Sequence, residues 1–330
     1  MIDYQAIRNV HLEISTRCNA ACPDCPRNFR GVDILETYPV LDMKLDQAKK
    51  IFTVPFLKQL DKLLINGNYG DFVTAQDGLE IVEYFKESNP RLQIEISTNA
   101  SARPKIWQRL GELGIKIDFR LDGLEDTHHL YRQNTDWNLV ISNAKKFIDA
   151  GGYAIWAMIK FSHNQHQVDT ARAMSIELGF KEFQLIDAGR DTMPVFNSDK
   201  TLSHIIGNYT DITDFDELLS RSKTYLVDPG GTIRAEKANR RIDCYAKKQK
   251  EIYISANGEV YPCCWLGFYP TYNAGRTSNP QLVPIMSKNN ALEYGIEEAI
   301  KWFNGIEATW DRSVPEGKIF ACNETCGVRN

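Results

Sequence analysis

The stretch Val10-His11-Leu12-Glu13-Ile14, followed by Cys18-Asn19-Ala20-Ala21-Cys22-Pro23-Asp24-Cys25, decides the fold. The first part is a short apolar run typical of a buried strand, and the second places three cysteines, spaced C-x3-C-x2-C, on the loop after it. Three thiolates at this spacing can converge on one soft metal centre and supply only three protein ligands. One coordination position is left open, which suits a reactive site rather than a closed structural one.

This cysteine spacing after an early strand resembles that of the radical S-adenosylmethionine (SAM) superfamily. The resemblance implies a [4Fe–4S] cluster held by Cys18, Cys22 and Cys25, with SAM bound at the free iron. It also implies reductive cleavage of SAM to a 5′-deoxyadenosyl radical that abstracts a hydrogen from a substrate. The chain departs from the family at Asp24, because an aromatic residue usually precedes the third cysteine. A zinc knuckle completed by a distant fourth ligand is the alternative.

Length, charge and cysteine content limit the possible classes of protein. The 330 residues, 43% of them hydrophobic, are enough for one large α/β domain and a smaller one. A formal charge of −4 with no basic run gives no electrostatic basis for binding nucleic acid or an anionic membrane. We find no signal peptide and no apolar stretch approaching ~20 residues, so we expect a cytoplasmic protein. In that reducing compartment, eight cysteines favour metal binding over disulfides.

Short β-rich runs alternate with longer amphipathic runs from Arg8 to Leu185, which predicts βα units and a parallel sheet. The predicted strands are Val10–Ser15, Lys62–Asn66, Gln93–Ser97, Lys116–Leu121, Ala154–Phe161 and Glu182–Ile186. The predicted helices are Leu45–Leu60, Asp77–Glu87, Pro104–Leu113, Trp137–Ala150 and Gln165–Leu178. Six such units indicate an α/β fold with a partial (β/α)6 TIM-like barrel, whose reactive loops lie at the carboxyl ends of the strands.

Two of these loops carry candidate SAM-binding residues. The segment Asn66-Gly67-Asn68 follows the second strand, and its glycine allows the backbone to approach a ligand closely. In position it resembles the superfamily's GGE motif, which contacts the SAM amino group. The third strand ends in Ser97-Thr98-Asn99, which resembles the family's S/T-x-N ending, where polar side chains reach the ribose or the carboxylate. An ordinary turn or helix cap is the alternative at both positions.

The segment after the fourth strand resembles the S-[IL]-D-G motif of SPASM-type radical SAM enzymes, which continues to a histidine and a Tyr-Arg pair. Asp122 and Arg132 match that motif, whereas Arg120 replaces the usual serine. The resemblance implies that Arg132 pairs with the SAM carboxylate, which a guanidinium can bind through two hydrogen bonds. A surface salt bridge is the alternative. His128 and His129 are predicted to act as caps or to lie at the surface rather than to bind a metal.

A different organisation is predicted after the barrel. Residues 189–242 lack periodicity and are expected to be a connector with one helix near Asp214–Ser222. Residues 243–330 form a separate unit that opens with a β-hairpin, in which Glu251–Ser255 and Val260-Tyr261 flank an Asn-Gly turn. A helix is predicted near Leu292–Phe303. The predicted domains are therefore a barrel over 1–188, the connector, and this C-terminal unit.

The C-terminal unit carries a second metal-binding pattern, composed of Cys244, Cys263, Cys322 and Cys326. The hairpin spacing and the later C-x3-C pair resemble SPASM and the shorter twitch domains. This implies one auxiliary iron–sulfur cluster, expected to be [4Fe–4S] and ligated by all four thiolates. A structural zinc ion at the same cysteines is the alternative. Cys264 is the cysteine left over, and packing, alternative ligation and a reactive thiol are all open for it.

Taken together, these patterns predict a radical SAM enzyme with a catalytic and an auxiliary cluster. The resemblance implies a small-molecule or peptide substrate that is dehydrogenated, epimerised or cross-linked. It also implies an electron donor such as flavodoxin or ferredoxin. The alternative from another class is a non-catalytic zinc-binding scaffold or partner-binding protein.

Overall fold

An eight-stranded, mostly parallel sheet organises the protein, of which the computed structural model describes residues 2–33, 40–103, 105–187, 192–208, 210, 214–220, 240–267 and 282–328. In spatial order the strands are β13 (Val260–Tyr261), β12 (Glu251–Ile254), β1 (Asn9–Leu12), β4 (Lys62–Ile65), β5 (Gln93–Thr98), β6 (Lys116–Arg120), β7 (Tyr153–Ile159) and β8 (Glu182–Ile186). Each neighbouring pair is parallel except β12 with β13. The six barrel strands predicted from the sequence are confirmed, and the α/β partial barrel with them.

Apolar side chains on the outer face of the sheet form the main core. Along β4 the buried positions alternate, with Leu63 and Ile65 buried, which places every second residue of this strand against the helices. These helices are α1 (Leu45–Ile51), α2 (Val54–Gln59), α3 (Gly78–Ser88), α4 (Trp107–Glu112), α5 (His128–Tyr131), α6 (Trp137–Asp149) and α7 (Val168–Glu177). Except in α5, whose Tyr131 belongs to a separate cluster with Ala20 and Cys22, their apolar faces join the strands in one continuous cluster.

Part of the inner face of the same sheet carries a cluster of charged side chains. Lys62 Nζ lies 2.8 Å from Glu95 Oε2, and Lys116 Nζ lies 3.8 Å from carboxylate oxygens of both Glu95 and Glu182. The Tyr153 hydroxyl donates to Glu182 at 2.6 Å. These side chains keep partial exposure, so this part of the inner face is hydrated.

The single helix predicted over Leu45–Leu60 is wrong, because the structure divides it into α1 and α2. Pro55 lies in the first turn of α2. Its ring has no N–H to donate and would collide with the carbonyl of Ile51, four residues earlier, in a continuous helix. The helix predicted over Pro104–Leu113 starts later than expected, at Trp107, and Pro104 lies outside the described residues.

The predicted C-terminal hairpin is present as β12 and β13, and it extends the barrel sheet. β12 runs parallel to β1, with Asn9 opposite Glu251 and Leu12 opposite Ile254. The remaining C-terminal elements are α8 (Tyr245–Gln249), α9 (Ala291–Ala299, interrupted at Gly295), α10 (Phe303–Glu307) and α11 (Phe320–Thr325), with β11 (Arg241–Ile242) antiparallel to β14 (Gly327–Val328).

The region expected to be a plain connector contains an antiparallel ribbon that the sequence did not predict. Its strands are β9 (Met193–Phe196) and β10 (Leu202–Ile206), and a helical segment follows at 215–220. Met193, Val195 and Ile206 pack with Ala20 and Cys22. The ribbon therefore covers the loop that carries the first three cysteines, next to the short pair β2 (Asn28–Phe29) and β3 (Val32–Asp33).

None of the helices in the described ranges is both long enough and apolar enough to cross a membrane.

The pairing of β12 with β1 predicts that a core substitution in the C-terminal hairpin destabilises the whole sheet. Ile252 is fully buried, so Ile252→Ala should lower the free energy of unfolding by about 2–5 kcal/mol. The matched control, Ile176→Ala, alters a side chain that is 72% exposed and should change it by less than about 0.5 kcal/mol. Urea unfolding followed by circular dichroism measures both. A separate early transition in Ile252→Ala, with the barrel unaffected, would contradict the shared sheet.

Candidate active site

A cavity of about 550 Å³ opens at the carboxyl ends of the barrel strands. Six of the seven predicted SAM-binding residues line it together with the first three cysteines, namely Asn66, Gly67, Asn68, Ser97, Asn99 and Arg132 with Cys18, Cys22 and Cys25. The seventh, Asp122, is buried behind Arg132. The fold thus brings together residues from four separate loops that the resemblance to one family had pointed to.

The three cysteines are held on a loop with its own hydrogen bonds. The Cys25 N–H donates to the Cys22 carbonyl at 3.1 Å, and the Ala20 N–H donates to Cys18 Sγ at 3.4 Å. Burial raises the pKa of all three thiols, that of Cys25 to about 12. They are therefore neutral without metal, and a bound metal must displace their protons.

Donor chemistry and placement decide what this loop can hold. Within the described residues, no group of three or more His, Cys, Asp or Glu side chains has the geometry for a single metal ion. Three sulfur donors facing one cavity suit a soft iron–sulfur centre with an open position better than a hard cation. The three cysteines thus fit a [4Fe–4S] cluster.

Asp71 orients Asn99 toward the cysteine loop. Its carboxylate accepts hydrogen bonds from the Thr98 hydroxyl at 2.5 Å, from the Asn99 N–H at 2.8 Å and from Asn99 Nδ2 at 2.9 Å. Asn99 Nδ2 then lies 3.7 Å from Cys18 Sγ. Burial raises the pKa of Asp71, which these donors partly offset. The predicted polar strand end is therefore a fixed part of the cavity wall.

Arg132 forms a buried ion pair, so the surface salt bridge considered for it is wrong. Its Nε donates to Asp122 Oδ2 at 2.6 Å, and its Nη1 lies 3.6 Å from Cys22 Sγ. Asp122 Oδ1 in turn accepts from the Ile159 N–H at 2.6 Å, which anchors the pair to β7. Burial opposes the charge on Arg132, but Asp122 outweighs it and raises the pKa of the guanidinium.

His128 is buried and holds the loop after β6, which is neither the capping nor the surface position predicted from the sequence. Its Nδ1 accepts from the Asp122 N–H at 3.2 Å, and its Nε2 lies 3.0 Å from the Thr135 hydroxyl. An accepting Nδ1 places the proton on Nε2. Burial lowers the pKa of His128 to about 4, so the ring is neutral near pH 7. His129 is exposed.

The glycine turn at Gly67–Gly70 leaves no room for a side chain at either of its two glycines. A Cβ atom at Gly67 would lie 2.6 Å from the Gly70 carbonyl oxygen and 2.7 Å from Glu13 Oε1. A Cβ atom at Gly70 would overlap the Ser15 carbonyl. The turn is therefore packed directly against the segment that follows β1.

Several residues at this site were not in the predicted set, and three of them have a clear structural role. Glu13 supports the glycine turn, Arg120 lines the cavity and donates from Nε to the Ser97 hydroxyl at 2.7 Å, and Trp265 lines both this cavity and a second one. A charged residue directly after a buried strand was the signal for Glu13. Arg120 had been noticed only as a departure from the family motif.

The second cavity is lined by all four C-terminal cysteines, Cys244, Cys263, Cys322 and Cys326. The β11–β14 pair brings the first and last of them together, and the Asp243 N–H donates to the Cys326 carbonyl at 2.8 Å. A hydrogen bond between the two thiols raises the pKa of Cys244 and lowers that of Cys326. Cys264 does not line this cavity, and its carbonyl accepts from Asn68 Nδ2 at 2.9 Å.

Comparison with known proteins identifies the class of fold. No protein-family model matches the chain. The FeMo cofactor biosynthesis protein NifB of Methanocaldococcus jannaschii is 25% identical over 117 residues, which cover 34% of this chain and 39% of NifB. The chain thus aligns with well under half the length of that curated relative.

Solved structures match over most of the chain. SuiB of Streptococcus suis, crystallised with S-adenosylmethionine, matches with a TM-score of 0.56 at 15% identity. The match covers 92% of this chain and 68% of the SuiB chain. The protein anSMEcpe, with AdoMet bound, matches with a TM-score of 0.53 at 15% identity. The match covers 89% of this chain and 80% of the anSMEcpe chain. The chain therefore has the radical SAM fold, as the cysteine spacing predicted.

The close packing of the glycine turn predicts opposite results for two kinds of glycine substitution. Gly67→Ala and Gly70→Ala should each displace the turn and cost about 1–3 kcal/mol of stability, because the added Cβ meets backbone or a buried carboxylate. Gly305→Ala is the matched control. Its Cβ would meet nothing nearer than Ile285 at 3.6 Å, and alanine favours the helix by up to about 1 kcal/mol. Thermal unfolding of the three variants compares them; a tolerated Gly70→Ala would show that the turn is not tightly packed.

Proposed function

We propose that this protein is a radical SAM enzyme that binds a [4Fe–4S] cluster at Cys18, Cys22 and Cys25. When bound, the cluster supplies the electron that cleaves SAM to methionine and a 5′-deoxyadenosyl radical, which abstracts a hydrogen from the substrate. One observation carries the proposal. The three thiols share a single cavity with six residues selected beforehand as SAM contacts.

The remaining residues of the cavity would bind and orient SAM. The backbone of the Gly67 turn can approach the amino group closely because no side chain intervenes. Asn99, fixed by Asp71, and Ser97, fixed by Arg120, offer polar groups at the end of β5. Arg132, held by Asp122, supplies a positive charge beside the cysteine loop for the SAM carboxylate.

We further propose that Cys244, Cys263, Cys322 and Cys326 hold an auxiliary iron–sulfur cluster of the twitch type. Their shared cavity supports this assignment. In this proposal, residues 1–188 hold the catalytic cluster and residues 243–330 hold the auxiliary cluster, and the ribbon of β9 and β10 covers the catalytic loop. A closed cluster can pass electrons and hold the hairpin in place without binding substrate.

The substrate in this proposal is a peptide or a small molecule, and the reaction is a dehydrogenation, epimerisation or cross-link. SuiB has been crystallised with its precursor peptide SuiA, and anSMEcpe with the Cp18Cys peptide, which favours a peptide. The enzyme would act in the cytoplasm and take electrons from a flavodoxin or ferredoxin.

The proposal predicts SAM cleavage that depends on the N-terminal cysteines. Anaerobically reconstituted, reduced protein should form 5′-deoxyadenosine, detected by liquid chromatography. The Cys18→Ala, Cys22→Ala, Cys25→Ala triple variant should form none, because the cluster loses all three ligands. Cys264→Ala, which alters no assigned ligand, is the control and should keep the parent's rate. Equal product from the parent and the triple variant would refute the assignment.

The auxiliary site predicts a separate loss of metal. Cys322→Ala combined with Cys326→Ala should remove about half of the bound iron, one cluster of two, while SAM cleavage is partly retained and turnover of substrate is lost. Iron, sulfide and zinc analysis of the purified proteins measures this. Zinc released in place of iron would support the structural zinc alternative, and unchanged iron content would exclude these two cysteines as ligands.

A further inference from the structure

Glu13 is a fully buried carboxyl group that joins three distant segments of the chain. It follows β1 directly, and its side chain is 0% exposed. Its Oε1 accepts hydrogen bonds from the N–H groups of Tyr69 at 2.8 Å and Gly70 at 3.2 Å. Its Oε2 accepts from the Tyr253 hydroxyl of β12 at 2.8 Å. A buried carboxylate is tolerated only with such partners.

We propose that Glu13 is a positioning residue that fixes the Gly67–Gly70 turn for SAM, and that Tyr253 fixes Glu13. This inference rests on the proposed function and assigns a role to two residues that do not touch the cavity. The group that this turn would bind is the cationic amino group of SAM.

The geometry of the turn supports this role. The N–H groups of Tyr69 and Gly70, together with that of Asn68, point at one carboxylate, an arrangement in which successive backbone amides form a nest for an anion. The protein's own Glu13 occupies the nest. Because Glu13 engages these three amides, they are not free to bind a ligand, and the backbone carbonyl oxygens of the turn suit an ammonium group. The buried negative charge behind the turn adds to that preference.

The protonation state of Glu13 links this role to pH. Burial raises the pKa of Glu13 to about 7, although its hydrogen-bond donors lower it. The other titratable groups around it are His11 on β1, Tyr253 on β12 and Cys264 after β13. Burial lowers the pKa of His11 to about 4 and raises that of Cys264 to about 11, so neither is charged near pH 7. Glu13 is therefore the group of this set that changes charge near neutral pH.

Function and stability should respond to pH in opposite directions. The ionised carboxylate accepts stronger hydrogen bonds, so SAM binding should improve as pH rises through about 7. A folded-state pKa above the unfolded value of 4.5 has the reverse effect on folding. The stability that Glu13 contributes to the folded state is fully present below pH 4.5 and is lost as pH rises through about 7. A purely structural carboxyl group would show only the second response.

The test compares Glu13→Gln with the parent, because glutamine keeps the shape but cannot ionise. SAM dissociation constants are measured by equilibrium dialysis with anaerobically reconstituted protein at about pH 6 and pH 8. At the higher pH we expect about tenfold weaker binding in the variant, and a smaller difference at the lower pH. Titration of SAM itself affects both proteins equally. Urea unfolding of the metal-free proteins should show that the parent loses more stability than Glu13→Gln between these pH values.

Tyr253→Phe is a second variant, and Tyr261→Phe is its matched control. Both tyrosines are fully buried, but the Tyr261 hydroxyl donates to Glu259 at 2.8 Å, away from the turn. Tyr253→Phe should weaken SAM binding about threefold, and Tyr261→Phe should leave it unchanged. If Glu13→Gln binds SAM as tightly as the parent does at both pH values, the inference is overturned and the proposed function is left intact. A parent that binds no SAM would overturn both.

Discussion

The structure depends on the position of β1 between β4 and β12. Hydrogen bonds on both edges make the first strand of the chain an internal strand of the sheet, and its partners come from the second βα unit and from the C-terminal hairpin. The cysteine loop that follows β1 is consequently held above the middle of the sheet rather than at an edge. The same pairing brings the four C-terminal cysteines near the barrel, with Trp265 facing both cavities.

Buried carboxylates give the cavity its rigidity. Glu13, Asp71 and Asp122 lie in the segments that follow β1, β4 and β6, and each accepts a hydrogen bond from a backbone N–H group of another segment of the chain. Loops at the carboxyl ends of parallel strands have amides that helices and strands leave unpaired. A carboxylate that collects these donors fixes several loops at once, and the cavity walls are then set before any ligand arrives.

Most of the fold could be predicted from the sequence, since each buried strand is a short apolar run separated from the next by an amphipathic helix. Much of the cavity could be predicted for the same reason. The cysteine spacing and the glycine turn are both local sequence patterns that follow directly after a strand. The ribbon of β9 and β10 was missed. Its first strand contains Pro194, and its burial depends on packing against the distant cysteine loop rather than on its own periodicity. The role of Glu13 was equally non-local, since its partners lie in two other segments.

The charged cluster on the inner face of the sheet has a consequence for the thermodynamics of the protein. A closed barrel fills its interior with layers of apolar side chains, and unfolding exposes that surface to water. Here the corresponding face carries Lys62, Glu95, Lys116 and Glu182, which are partly hydrated in the folded state. Apolar exposure is what raises the heat capacity of unfolding. Unfolding exposes little new apolar surface at these four positions, so they contribute less to the heat capacity of unfolding than the apolar side chains of a closed barrel would.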